Sequence, residues 1–287
     1  MEALEDKVAV VTGGASGIGR ALAERFARAG MKLVLADVES EPLEATAHAL
    51  RTQGVQVLSS LTDVTDGEAV EALAARTLDE FGAAHVVCNN AGVAAAGPIW
   101  EHSVADWEFV LGVNLWGVIH GVRAFAPHLL AQNEGHFVNT ASMAGLLSHP
   151  GMGAYNVSKQ GVVAYSETLF EDLRSAGSEV GVSVLCPAFV QTAIWDAERN
   201  RPEHLRNTPD PAQEQASAAG RQLLKAVIDH AMPPSEVAEA VHDAVCEKRL
   251  YVLTHDSTRK QIAQRADNIA AGRNPGPPNA DLSALQR

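Results

Sequence analysis

Short, continuously apolar runs alternate along this chain with longer segments in which apolar residues recur every three to four positions. The short runs predict strands and the periodic segments predict helices. The predicted strands are 7–12, 32–36, 55–58, 85–88, 136–140, 182–186 and 250–253. The predicted helices are 18–29, 41–53, 68–81, 104–132, 154–175, 235–247 and 259–271. Seven strands joined by helical crossovers predict an α/β fold whose parallel sheet is covered by helices on both faces.

Two stretches interrupt this alternation. Residues 191–232 combine Trp195, a piece rich in Arg, Asn and Pro, and a polar helical piece, and an insertion of this size is typical of a lid or binding loop. The chain beyond the last predicted strand forms a C-terminal extension, which we expect to cover an interface or a neighbour's pocket. We therefore predict one domain over 1–254, with a substrate lid at 191–232, followed by an extension over 255–287.

Composition and charge disfavour several classes of function. Lys and Arg total 22 against 35 Asp and Glu, a formal charge of −13, which argues against nucleic-acid binding and against docking on an anionic membrane. No run approaches the roughly 18–20 apolar residues of a membrane span, and residues 1–6 lack the pattern of a secretory signal. Three widely spaced cysteines indicate no disulfide framework, and eleven histidines form no metal-binding motif. We expect no metal and a reducing, cytoplasmic location.

A glycine-rich turn, Thr12-Gly13-Gly14-Ala15-Ser16-Gly17-Ile18-Gly19, joins the first predicted strand to the first predicted helix. Glycines at 13, 17 and 19 allow a tight turn and a close approach of the backbone to a pyrophosphate. The helix that follows directs free N–H groups and the positive end of its dipole to the same place. The turn therefore predicts dinucleotide binding.

Asp37 follows the second predicted strand, where a carboxylate can accept hydrogen bonds from ribose hydroxyls and repel a 2′-phosphate. No Arg or Lys occupies 13–19 or 38–40 to receive that phosphate. These observations favour NAD as the cofactor. Arg20 and Lys7 are the nearest basic residues and leave NADP open as the alternative.

Tyr155 and Lys159 lie one turn apart in the helix predicted over 154–175, so their side chains share one face. A neighbouring ammonium favours the phenolate, and lowering the tyrosine pKa by roughly three units would make Tyr155 a general acid/base near pH 7. Ser142 follows the fifth predicted strand, at the edge where parallel sheets form their ligand crevice. Its hydroxyl can hydrogen-bond a substrate oxygen.

Several motifs occur in a fixed order along the chain. They are Thr12-Gly13-(x)3-Gly17-Ile18-Gly19, Asp63-Val64, Asn89-Asn90-Ala91-Gly92, Asn114, Ser142, Tyr155-(x)3-Lys159 and Pro187-(x)4-Thr192. This set resembles the ordered motifs of the short-chain dehydrogenases/reductases, and the resemblance covers about residues 5–253. It implies a single Rossmann-type, doubly wound domain that oxidises an alcohol or reduces a carbonyl with NAD(P).

The resemblance also implies roles for individual residues. Tyr155 would exchange a proton with the substrate oxygen, Ser142 would orient that oxygen, and Lys159 would lower the tyrosine pKa and hold the nicotinamide ribose. Asn114 would hold a water on the proton path. The implied cofactor contacts are Gly13, Ser16, Gly17, Ile18, Gly19, Asp37, Asp63, Val64, Asn90, Ala91, Gly92, Pro187, Val190 and Thr192, together with Tyr155 and Lys159. Ala188 departs from the pattern, because the family usually has glycine after the proline, and its side chain would narrow or redirect the loop that carries Thr192.

By the same resemblance, an apolar pocket would surround the reacting carbon. The implied substrate contacts are Ser142, Met143, Ala144, Met152, Phe189 and Trp195, with 93–96, Leu146 and Ile194 nearby. None of these is Arg or Lys, so we expect a neutral, bulky, apolar secondary alcohol or ketone. An NADP-dependent ketoreductase of the same fold and a non-catalytic NAD-binding sensor remain alternatives. Family members often pair through the helices that correspond to 104–132 and 154–175, so a homo-oligomer, dimer or tetramer, is expected.

Overall fold

The strands form one parallel sheet in the computed structural model, which describes residues 3–208, 220, 222 and 224–276. They are β1 (Val8–Thr12), β2 (Lys32–Asp37), β3 (Val57–Leu61), β4 (Val86–Asn89), β5 (His136–Thr140), β6 (Gly181–Cys186) and β7 (Tyr251–Leu253). Every neighbouring pair is parallel, in the order β3-β2-β1-β4-β5-β6-β7. The predicted seven-stranded, doubly wound sheet is confirmed.

Helices connect the strands close to the predicted positions. They are α1 (Gly17–Arg28), α2 (Ser40–Arg51), α3 (Gly67–Phe81), α4 (Val104–Leu111), α5 (Gly117–Gln132), α6 (Gly153–Ser175), α7 (Pro234–Glu247) and α8 (Asp256–Ala270). A π-helical turn, Gly112–Trp116, joins α4 to α5, so the single helix predicted over 104–132 contains an irregular turn. Such wide turns are often found at functional sites.

Side-chain caps and left-handed residues set several helix ends. The Asp66 side chain accepts hydrogen bonds from the first backbone N–H groups of α3, and Gly82 ends that helix with φ of 76°. Ser103 and Asp106 form a capping box at the start of α4. These polar residues satisfy backbone groups that a helix end would otherwise leave unpaired.

The chain reverses direction across the sheet between β1 and β4. Moving outward from β1, the chain adds β2 and β3, and it then returns to place β4 on the other side of β1. Ligands of open α/β sheets bind at such a switch point, beyond the carboxyl ends of the strands. The glycine-rich turn follows β1 directly, so the fold places it at this crevice.

Two apolar layers bury the faces of the sheet. On one face, Leu22 and Phe26 of α1 pack with residues of α2 and α7. On the other face, Phe125 and Leu129 of α5 pack with residues of α3 and α6. Both faces of the central strands are therefore covered, which explains why their sequences are continuously apolar rather than alternating.

Among the described residues, one helical region, Val104–Gln132, is long and apolar enough to span a bilayer by length and composition. Its most apolar window has a mean hydropathy of 1.4, so the prediction that no run approaches a span is too strong. Half of that window is buried inside the protein, because α5 contributes Phe125 and Leu129 to the core. The region therefore belongs to the helical layer that packs on one face of the sheet.

A chain of buried polar groups links β4, β5 and α6. The Asn89 amide nitrogen donates to Asn139 Oδ1 at 2.9 Å, and the Asn139 amide nitrogen donates to Ser166 Oγ at 3.0 Å. Gly121 of α5 lies against this chain, and a Cβ atom there would lie 1.9 Å from Asn89 Oδ1. The absence of a side chain at 121 thus allows α5 to approach the sheet.

Gly121→Ala is expected to lower the free energy of unfolding by about 1–3 kcal/mol, because the added methyl group overpacks the buried Asn89 side chain. Chemical denaturation with an unchanged m-value would measure the loss. Gly67→Ala is the matched control, since its Cβ would lie an ordinary 3.4 Å from the His120 ring. Equal stability of the two variants would contradict this account of Gly121.

Candidate active site

The glycine-rich turn packs without side chains against the segment that follows β4. Gly13 and Gly17 have positive φ angles, 66° and 52°, which other residues rarely adopt. A Cβ atom on Gly13 would lie 2.9 Å from Ala91 Cα, and one on Gly19 would lie 2.0 Å from the Gly13 carbonyl oxygen. The turn is therefore a cradle with bare backbone, which fits the close approach of a pyrophosphate at the start of α1.

A cavity of about 970 Å³ opens beyond the carboxyl ends of the strands. Every cofactor contact expected from the sequence lines this cavity except Gly19, which supports the turn from behind. The Asp37 carboxylate accepts hydrogen bonds from the backbone N–H groups of Ala15 at 3.0 Å and Glu39 at 3.1 Å. It is thus held at the end of β2, beside the turn. The residues present fit a dinucleotide lying across the switch point.

Tyr155 and Lys159 lie on successive turns of α6 and are buried, at 8 % and 2 % exposure. Lys159 Nζ lies 5.6 Å from the centre of the Tyr155 ring and donates a 2.8 Å hydrogen bond to the Thr140 carbonyl oxygen. Burial raises the pKa of Tyr155, and a hydrogen bond with Ser142 opposes that rise. Burial lowers the pKa of Lys159 to about 8. The pairing is as predicted, but the pKa of the tyrosine is raised and not lowered as predicted, because desolvation outweighs the hydrogen bond with Ser142.

Ser142 lies between the carboxyl ends of β5 and β6. Its Oγ accepts a hydrogen bond from Ala144 N at 3.1 Å and donates to the Pro187 carbonyl oxygen at 3.4 Å. Met143 N donates to the same carbonyl oxygen at 2.8 Å, which ties the loop after β5 to the loop after β6. Ser142, Tyr155 and Lys159 therefore reach one wall of the cavity from two elements.

Comparison with known proteins identifies the family. A profile of the short chain dehydrogenase family matches residues 7–203. The chain belongs to this family. It is therefore an oxidoreductase that uses a nicotinamide cofactor, and the resemblance stated from its motifs is confirmed.

Similar short-chain dehydrogenases differ in the nucleotide they hold. A structure from Burkholderia phymatum in complex with NAD is 52 % identical, with a TM-score of 0.93 over 98 % of this chain and 100 % of that one. A metagenomic short-chain oxidoreductase in complex with NADP is 26 % identical, with a TM-score of 0.68 over 87 % of this chain and 96 % of that one. A curated relative, 1-deoxy-11-beta-hydroxypentalenate dehydrogenase of Streptomyces arenae, is 43 % identical over 92 % of this chain and 88 % of its own length.

Asn114 of this short-chain dehydrogenase is fully buried in the π-helical turn and does not line the cavity. Its amide donates to the Val93 carbonyl oxygen at 2.9 Å and to Ser158 Oγ at 3.0 Å, and its Oδ1 accepts from Val93 N at 2.8 Å. A Cβ built on Gly92 would lie 3.5 Å from Asn114 Oδ1 and 3.6 Å from Lys159 Nζ. The side chain thus positions the loop after β4 beside the lysine, and the water expected at Asn114 stays a prediction.

The loop after β6 contacts both the glycine turn and the C-terminal extension. A Cβ on Gly17 would lie 3.1 Å from the Thr192 methyl carbon, so Thr192 packs directly on the turn. Ala188, where glycine is usual, donates its N–H to His255 Nδ1 at 3.4 Å. Ile262 of α8 packs on the cluster formed by Met143 and its neighbours. The described part of the extension therefore lies against this chain's own site, and residues 277–287 lie outside the described residues.

Two arginines of the lid region, Arg199 and Arg201, line the cavity, although the substrate contacts expected from the sequence include no Arg or Lys. Arg201 donates to Asp106 Oδ1 at 2.8 Å and to Glu198 Oε2 at 2.7 Å, and its side chain is only 2 % exposed. Arg199 pairs with Glu39. Both charges are neutralised by carboxylates, and the pairs Arg199–Glu39 and Arg201–Asp106 join residues far apart in the sequence, so no local signal indicated them.

Trp195 does not line the cavity among the described residues, unlike the other five expected substrate contacts. Its ring lies 5.5 Å from Lys225 Nζ, and this cation–π contact links two parts of the lid region. The indole is turned away because residues 194–200 form an irregular 3₁₀ helix that presents Ile194 and Ala197 to the cavity instead. Residues 209–219, 221 and 223 of the predicted lid lie outside the described residues.

His149 is a cavity residue that the sequence analysis did not single out. It lies in the loop between Ser142 and α6, and its Nε2 is buried without a hydrogen-bond partner among the described residues. Burial lowers the pKa of its imidazole, which is therefore neutral at pH 7.

No group of three or more metal-ligating side chains occurs in the described part of the chain.

Proposed function

We propose that the protein interconverts a neutral, bulky, apolar secondary alcohol and its ketone with NAD(H), and that Tyr155 is the general acid/base. The observation that carries this proposal is the convergence of Ser142, Tyr155 and Lys159 on the cavity that the glycine turn also lines. A non-catalytic NAD-binding sensor would not need these three buried polar side chains, whose burial is costly. An intact set therefore favours an enzyme.

The proposed mechanism divides the work between cofactor and protein. The nicotinamide ring, when bound, accepts or supplies the hydride. The Tyr155 hydroxyl gives its proton to the carbonyl oxygen during reduction and takes it back during oxidation. The Ser142 hydroxyl donates a hydrogen bond to the same oxygen and fixes its position. Lys159, beside the phenol ring, stabilises the phenolate form and can reach the nicotinamide ribose.

The proposed substrate class follows from the cavity wall beside the catalytic residues. Apolar side chains dominate there, including Val93, Phe109, Met143, Met152 and Phe189. The guanidinium of Arg201 stacks 4.6 Å from the Phe109 ring and is already paired with carboxylates, so it offers no counter-charge to an anionic substrate. The relative named 1-deoxy-11-beta-hydroxypentalenate dehydrogenase supports a hydroxyl group as the reacting group; its substrate name denotes a carboxylate, so the neutral class proposed for this chain rests on the cavity wall alone.

The proposed preference for NAD rests on Asp37. Its carboxylate lines the cavity at the end of β2, where it would meet ribose hydroxyls and repel a 2′-phosphate. The 52 % identical structure from Burkholderia phymatum holds NAD, which supports the same choice. An NADP-dependent ketoreductase remains the alternative, and the cofactor comparison below decides between them.

We further infer a cytoplasmic homo-oligomer with a lid over the substrate site. The buried thiols of Cys88 and Cys186, whose pKa values burial raises, are compatible with a reducing compartment. Trp116 and Val157 are apolar side chains that are 52 % and 46 % exposed. They lie on the two helical regions, 104–132 and 154–175, that are expected to mediate pairing. Ile194 and Ala197 of the predicted lid already line the cavity.

Initial rates on a panel of alcohols with both cofactors test the substrate and cofactor proposals together. Neutral cyclic or aryl-substituted secondary alcohols should give the highest kcat/KM, and NAD+ should exceed NADP+ by about tenfold or more, the effect of ~1.4 kcal/mol. Anionic hydroxy acids of similar size are the matched controls. Faster turnover of the hydroxy acids would overturn the substrate class, and a preference for NADP+ would overturn the role of Asp37.

Tyr155→Phe should bind NADH with unchanged affinity but lose about 10²–10⁴-fold in kcat, because only the proton-transferring hydroxyl is removed. Cofactor binding is followed by NADH fluorescence and turnover by absorbance. Tyr165→Phe, ten residues further along α6 and outside the cavity lining, is the control and should retain activity. A Tyr155→Phe enzyme with normal kcat would rule out the proposed acid/base role.

The pH dependence of kcat/KM reports groups of the free enzyme, where the pKa of Tyr155 is raised and that of Lys159 is about 8. Ketone reduction needs the tyrosine proton, which the raised pKa retains, so its kcat/KM should stay level through about pH 8. Alcohol oxidation needs the phenolate, so its kcat/KM should be low at pH 7 and rise only above about pH 8, toward the raised tyrosine pKa. Reduction that improves as pH rises would contradict the assignment.

A further inference from the structure

Arg199 reaches the cofactor end of the cavity from the region that follows Thr192. It lies in the 3₁₀ segment Ile194–Asn200 and lines the cavity together with Asp37 and Glu39. Its Nη1 donates to the carbonyl oxygens of Ala193 at 3.1 Å and Asp196 at 2.9 Å. The guanidinium is therefore fixed by its own segment, and its remaining donors point across the cleft.

Glu39 receives those remaining donors. Arg199 Nε donates to Glu39 Oε1 and Arg199 Nη2 donates to Glu39 Oε2, both at 2.9 Å, so the ion pair is bidentate. The side chains are 31 % and 23 % exposed, so the pair is partly shielded from water. Hydrogen bonding to Arg199 lowers the pKa of Glu39, which is therefore ionised at neutral pH. A carboxylate two residues after Asp37 thus occupies the arginine.

The position of this pair concerns nucleotide selection. Asp37 accepts a hydrogen bond from Glu39 N, and its charge acts on Arg199, so the three groups lie at one end of the cleft. An unpaired guanidinium at this end would be a well-shaped ligand for a phosphate, since its forked donors match two phosphate oxygens. The chain thus carries a potential 2′-phosphate ligand in the region beside Asp37, but that ligand is already bound.

We propose that Glu39 is a cofactor-specificity residue that acts through Arg199: by occupying the guanidinium, it withholds this cation from a 2′-phosphate. This inference rests on the proposed dinucleotide function and on the NAD preference assigned to Asp37. It differs from simple repulsion by Glu39, because it makes the effect of residue 39 depend on the presence of Arg199.

The test compares adenosine 2′,5′-bisphosphate with 5′-AMP, which differ by the 2′-phosphate and require no turnover. Dissociation constants are measured by calorimetry for the wild type, Glu39→Gln, Arg199→Gln and the double variant. Glu39→Gln should lower the dissociation constant of the bisphosphate by about tenfold and keep that of 5′-AMP within about twofold of the wild-type value. The double variant should return the ratio of the two constants to that of the wild type. The ratio of kcat/KM for NADPH over NADH should move in parallel.

Glu44→Gln is the matched control, because it also breaks a carboxylate–arginine pair, with Arg51, but Glu44 does not line the cavity. Its ratio of the two constants should equal that of the wild type. Thermal unfolding checks that each variant is folded, and Glu39→Ser replaces Glu39→Gln if the latter is not.

Two results would overturn the inference. An unchanged ratio in the Glu39 variants would show that the arginine is not withheld by Glu39. A gain that persists in the double variant would show that Glu39 acts by direct repulsion. A wild type that binds neither ligand would instead refute the proposed dinucleotide function, and this inference with it, whereas normal 5′-AMP binding with an unchanged ratio refutes the inference alone.

Discussion

The site depends on the way in which the carboxyl ends of β1 and β4 are joined at the centre of the sheet. The Thr12 hydroxyl donates to the Cys88 carbonyl oxygen at 3.3 Å and accepts hydrogen bonds from Asn90 N at 2.9 Å and Ala91 N at 3.1 Å. The Asn90 amide returns a 3.0 Å hydrogen bond to the Thr12 carbonyl oxygen. These contacts hold the loop after β1 beside the loop after β4. The glycine turn fits against the second loop only because the two loops stay at this distance.

Burial of the charged Lys159 side chain in the site lowers the stability of the folded protein. Its pKa of about 8 instead of 10.5 corresponds to a penalty on the order of 3 kcal/mol for keeping the ammonium charged in the folded state. Because the folded pKa is lowered, the penalty is fully present below about pH 8 and is relieved as the pH rises toward 10.5. A lysine on the surface would avoid it, but only a buried one lies beside the Tyr155 ring and bonds the Thr140 carbonyl oxygen.

The sequence predicted most of the fold because its signals are local. Each strand is a continuous apolar run, each helix has its own period, and the predicted bounds agree with the structure within three residues. The motif residues that line the cavity were likewise predictable, since Gly13, Asp37, Ser142 and Tyr155 each follow a strand or start a helix. The direction of the Tyr155 pKa shift was not, because it depends on how completely the fold excludes water from the phenol.

The residues that the sequence analysis missed act across long separations in the chain. Glu39 and Arg199 are 160 positions apart, and Ala188 and His255 are 67 apart. Nothing beside Glu39 in the sequence indicates an arginine, and the sequence analysis considered only Arg20 and Lys7 as basic residues near this end of the cleft. A tertiary contact supplies an arginine and a carboxylate neutralises it. In this chain, the electrostatic environment that a nucleotide meets is therefore a property of the folded lid region as well as of the residues that follow β2.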